Sequence, residues 1–108
     1  MYQGTTPTIP IRFMGVDISD AKIYVTIQDD TKKSPITLIS GEDFTVSYDS
    51  ENKNTVGELH LTQEQTLGLS GTCTVQARYV FADGESGATK KQKIVVQDVI
   101  MKDVISYV

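Results

Sequence analysis

Apolar and polar residues alternate along most of this chain. Residues 8–14 set Ile9, Ile11 and Phe13 against Thr8, Pro10 and Arg12, the period of two that marks a half-buried strand. Pro10 lacks an amide proton, so this strand belongs at a sheet edge. After a turn over 15–20, Ala21, Ile23, Val25 and Ile27 alternate with Lys22, Tyr24, Thr26 and Gln28. The polar run 29–35 forms a loop. A third strand follows at 36–39, with a turn near Ser40 and Gly41. Phe44, Val46 and Tyr48 form the apolar row of a fourth. Residues 49–54 carry strong turn chemistry and lead into a fifth strand with Leu59 and Leu61 inward. Thr62-Gln63-Glu64-Gln65 fits a capping box, predicting one or two helical turns that end at Gly68 or Gly71. The longest strand opens at Gly71, with Cys73, Val75, Ala77, Tyr79 and Phe81 on one face. Residues 82–87, with Asp83-Gly84, form a hairpin loop, and the return strand covers 88–96. About seven short strands and one helical turn predict an all-β, immunoglobulin-like antiparallel sandwich occupying 1–108 as a single domain. The expected core is Ile23, Val25, Ile27, Phe44, Leu59, Leu61, Val75, Tyr79 and Ile94.

Composition agrees with the pattern. Of 108 residues, 34 are Val, Ile or Thr, whereas Leu and Ala together number 9. Branched side chains suit a pleated sheet, and Leu and Ala are the better helix formers. The net charge of −4 argues against nucleic-acid binding, which needs a basic footprint. One Cys excludes an intrachain disulfide, and one His removes most catalytic and metal constellations. The start lacks a basic and apolar leader, and no apolar run approaches a bilayer's span, so a soluble product is expected, with no membrane partner.

Each chemically capable residue has an ordinary reading. His60 alternates outward, away from Leu59 and Leu61, and reads as a surface histidine. Cys73 shares a face with Val75 and Ala77 and reads as a small core residue. There is no Gly-x-Ser-x-Gly elbow and no phosphate-cradling glycine loop. Asp29-Asp30 and Asp49-Ser50-Glu51 lack calcium-loop spacing and read as solvated loops. Lys90, Lys91 and Lys93 read as edge-strand lysines that discourage sheet-to-sheet aggregation. Tyr24, Tyr2 and Tyr107 are the candidate exposed aromatics. No catalytic residue, metal, cofactor or small-molecule substrate is expected.

The segment after the last strand is the feature a simple sandwich explains least. Met101, Val104, Ile105 and Val108 fall at helical spacing, while Val99, Ile100 and Met101 can equally extend the last strand. Either way the apolar side chains of 98–108 need cover, from their own domain or from a neighbour. Val99, Ile100, Met101, Val104 and Ile105 are therefore the candidate assembly contacts.

Several phrases occur in a telling order: Gly4-Thr5-Thr6-Pro7-Thr8 before an Ile/Phe strand, then Asp17-Ile18-Ser19-Asp20-Ala21-Lys22-Ile23-Tyr24-Val25, then Leu61-Thr62-Gln63-Glu64-Gln65-Thr66, then Val75-Gln76-Ala77-Arg78 with Asp83-Gly84. Over roughly residues 4–100 this order resembles the small β-sandwich proteins encoded in tail and baseplate regions of phages and prophages of Gram-positive bacteria. It is similar to the immunoglobulin-like N-terminal domain of phage baseplate upper proteins. The resemblance implies a non-enzymatic virion structural protein, in tail or baseplate, whose partners are other phage structural proteins and further copies of itself. It carries over no catalytic residue. The alternative reading is a host-surface or carbohydrate-binding module.

Overall fold

The computed structural model describes residues 1–30 and 35–107; part of the expected polar loop 29–35 and Val108 of the expected stripe lie outside the described residues. The strands are β1 (Thr8–Met14), β2 (Lys22–Asp29), β3 (Ile36–Ile39), β4 (Val46–Asp49), β5 (Asn54–His60), β6 (Gly71–Val80), β7 (Ser86–Ala88) and β8 (Gln92–Val96). A short helix, α1 (Gln63–Leu67), links β5 to β6. One sheet runs β1-β5-β4; the other runs β3-β2-β6-β7, with β8 also paired to β6. The pairings between strands are antiparallel, so the fold is the all-β sandwich that the alternation implies.

The inward rows of the two sheets meet in one core. Ile23, Val25 and Ile27 of β2, Leu59 of β5 and Cys73 of β6 have almost no exposed surface. Ile18 and Leu69, from loops that read as turns, join them. Burial of such side chains removes about 1.5–3 kcal/mol worth of apolar surface each from water, and this drives the two layers together. Pro10 lies on an edge strand, as its missing donor requires.

Four details differ from the sequence reading. First, the return strand is split. Ala88 pairs with Arg78 and Gln92 with Val75, so residues 89–91 face only 76 and 77. This one-residue excess is a bulge, and it yields eight strands among the described residues where seven were expected. Second, Val75, Tyr79 and Ile94 are half-buried rather than central: Val75 and Ile94 line the opening between β1 and β8, and Tyr79 lies near the end of β6, opposite Gly87 of the short strand β7. Third, Phe44 is buried but sits in the turn before β4, and Tyr48 faces solvent from that short edge strand. Fourth, β2 runs one residue beyond Gln28, so the period of two carries Asp29 inward, opposite Cys73, instead of into a solvated loop.

The N-terminal residues close one end of the open side. Gln97 N–H donates to Met1 O at 2.6 Å, and Gln3 N–H donates to Gln97 O at 2.9 Å. Tyr2 thus forms a parallel bridge with Gln97. The chain then crosses to the other sheet and enters β1.

Candidate functional site

His60 projects outward from β5. Its Nδ1 shares a 3.1 Å hydrogen bond with Thr8 Oγ1 on β1, and Glu58 lies 3.9 Å from Nε2. Both are exposed contacts on the outer face of the smaller sheet. Cys73 is buried without exposed surface. Burial raises its thiol pKa, and the negative charges of Asp29 and Asp30 push it further the same way. A raised pKa leaves the thiol protonated and inert near neutrality.

The carboxylate of Asp49 is used locally. It accepts Glu51 N–H at 3.1 Å and Asn52 Nδ2–H at 2.7 Å. The Asn52 contacts lower its pKa below the ordinary aspartate value. Asp49 therefore stabilises the β4–β5 turn, whose last residue, Lys53, adopts φ 57°. Among the described residues no three His, Cys, Asp or Glu groups gather as metal ligands do, and no helix is long and apolar enough to cross a membrane. Lys90 and Lys91 sit in the bulge between β7 and β8, and Lys93 lies on β8; all three are exposed.

Two surfaces have the shape of a contact site. On the outer face of the larger sheet, Tyr24, Thr26, Thr37, Arg78 and Ser86 line a shallow polar concavity. Lys22 Nζ stands 5.6 Å from the centre of the Tyr24 ring, a cation–π contact. On the open side, Ile9, Ile11, Val75 and Ile94 line an apolar groove between β1 and β8, with Arg12 and Lys90 at its rim.

The third feature is the segment 98–107. It forms neither the helix nor the strand extension that its pattern suggested. Residues 1–3 occupy the edge against β8's end. A helix of two turns without a packing face does not hold in water. The segment instead crosses α1 as an irregular strap. Gln63 Nε2–H donates to Ile105 O at 3.1 Å and Gln63 Oε1 accepts Ile105 N–H at 2.8 Å. Lys102 Nζ donates to Gln3 Oε1 at 2.5 Å and lies 3.8 Å from Asp98. These tethers are polar, while Ile100, Met101, Val104 and Ile105 are exposed, Ile100 completely. Val99 alone of the five candidate contacts is half-buried.

Neither the family models nor the curated proteins contain a match to this chain.

Gln3 and Thr66 were missed by the sequence reading. Both are buried polar residues that position the strap's platform: Gln3 Nε2–H donates to Leu69 O at 2.6 Å, and Thr66 Oγ1 donates to Thr5 O at 2.8 Å. Spacing along the chain carries no signal for such contacts, because their partners lie more than 60 positions away.

Proposed function

We propose that this protein is a non-enzymatic phage structural component, of tail or baseplate type, that works through protein–protein contacts. The observation carrying this reading is the strap over residues 98–107, whose large apolar side chains face solvent from a folded, two-layer body. Several large apolar side chains exposed together on one short segment of a small domain mark an interaction site. The resemblance of residues 4–100 to baseplate-associated β-sandwich proteins supplies the phage context. In a particle with many copies, weak contacts add through high effective concentration. Mass spectrometry and antibody labelling of purified particles, made in cells carrying the gene, test the proposal. The protein is expected in the particle at a fixed stoichiometry. Particles free of it, with the product left in the lysate, overturn the reading.

The Tyr24 concavity favours a second reading, a glycan-binding module, since an aromatic ring ringed by hydroxyls and Arg78 suits a sugar face. Calorimetric titration with cell-wall glycans gives saturable heat on that reading and none on the first.

A further inference from the structure

We propose that the segment 98–107 of one copy lies as an added strand in the groove between β1 and β8 of a second copy. This deepens, and rests on, the assembly reading above. The acceptor is an unfinished stretch of sandwich. Ile9 and Ile11 on one side and Val75 and Ile94 on the other are half-buried, facing an opening that no other element of the described chain fills. Among the described residues, no strand pairs with the β1 edge on that side. Leu61 N–H donates to Pro7 O, so by antiparallel alternation Ile9, Ile11 and Phe13 turn their backbone groups to β5. Thr8, Pro10, Arg12 and Met14 turn theirs outward, with one donor missing at Pro10. Such an edge accepts an extended chain by backbone pairing, while its pockets select the side chains.

The donor matches the groove in length, pattern and charge. Val99 to Ile105 is seven residues, as is β1. As a strand it places Val99, Met101 and Ile105 in one row, with Asp103 as that row's only charge. Arg12 and Lys90 at the rim, with Lys93 on β8, are the complementary cations. A chain's own segment is led away from its own groove. Residues 1–3 take up Gln97, and Gln63 and Lys102 hold the strap across α1. The recipient is therefore a second copy, and the contact is head-to-tail, which builds rings or open rows.

Two full-length variants test this. Donor-defective chains carry Met101→Asp with Ile105→Asp; acceptor-defective chains carry Arg12→Glu with Lys90→Glu. All four positions are exposed, so folding is spared. By light scattering the wild type is expected to grow in mass with concentration beyond two chains, whereas each variant alone stays at 11.9 kDa. Mixed, the two variants are expected to stop at a dimer of one chain each, because one intact segment meets one intact groove. A second measurement oxidises a mixture of Val104→Cys and Arg12→Cys chains, whose new thiols share the outward row, and expects a disulfide-linked pair containing one of each. A wild type that stays monomeric at millimolar concentration overturns the inference. So does a mixture that stays monomeric and uncross-linked while the wild type associates. A monomeric chain still found in particles sinks this inference and leaves the structural reading standing; self-association by a chain absent from particles does the reverse.

Discussion

At the residue scale, buried polar groups show how closely the interior is fitted. Thr55 has no exposed surface; its hydroxyl accepts Ile18 N–H at 2.9 Å and donates to Val16 O at 2.9 Å. These bonds fold the 15–20 loop so that Ile18 enters the core. Thr55→Val keeps the volume and strands a buried donor, which costs about 1–3 kcal/mol; Thr55→Ser keeps the bonds. Urea unfolding is expected to show the larger loss for Val. Cys73 gives a second prediction, in pH. Its folded pKa is raised, so the folded state keeps its proton where the unfolded thiol, ordinary value 9.0, has lost it. Its contribution is fully present below pH 9 and is lost as pH rises through the folded value, with a slope no steeper than about 1.4 kcal/mol per pH unit. Cys73→Ala is expected to remove that part of the alkaline decline. An unchanged slope between pH 8 and 10.5 counts against burial of the thiol.

At the scale of elements, the strands follow from alternation, and their junctions follow from single side chains. The capping box forms as its spacing implies: Thr62 Oγ1 accepts Gln65 N–H at 3.1 Å, and Gln65 Oε1 accepts Thr62 N–H at 2.9 Å. A five-residue helix depends heavily on its cap, so Thr62→Ala is expected to cost about 1 kcal/mol, measured as a lower urea midpoint at unchanged m-value. Gly57 is subtler. It sits in β5 between Ile11 of β1 and Val46 of β4. An added Cβ would lie 2.7 Å from Thr45 O, a backbone atom, and 2.9 Å from Val46 Cγ1. Gly57→Ala is therefore expected to push β4 away and destabilise by about 1–3 kcal/mol. In the sequence this glycine interrupts an otherwise readable strand. Period two reports which face a residue takes and is silent on which strand lies beside it. That is why β2, β5 and β6 were legible, while the bulge at 89–91, the close approach at Gly57 and the inward turn of Asp29 were not. The candidate contacts in 98–107 were legible as apolar and in need of cover. Their shape was not, because it depends on Gln63 and Gln3, far away in sequence.

At the scale of the whole molecule, the protein is a rigid body carrying a loosely held strap. Its radius of gyration is 15.0 Å, against about 13 Å for a compact chain of this length, and its long axis is 45 Å. The central strands β2 and β6 are paired on both sides and supply most of the fully buried row, so their amides open only with global unfolding. The strap has exposed side chains and few backbone bonds to the body. Hydrogen exchange on the isolated monomer is expected to show slowest exchange at Ile23, Val25 and Ala77, and fast exchange through 98–104. Ile105 is expected to be protected, since its N–H donates to Gln63 at 2.8 Å. Gln63→Ala should erase that local protection and leave β2 unchanged, because the amide pair fastens the strap without supporting the core. Protection at Ile105 that survives the substitution would mean that apolar packing, rather than the Gln63 amide, holds the strap, and that its side chains are less available to a partner than their exposure implies.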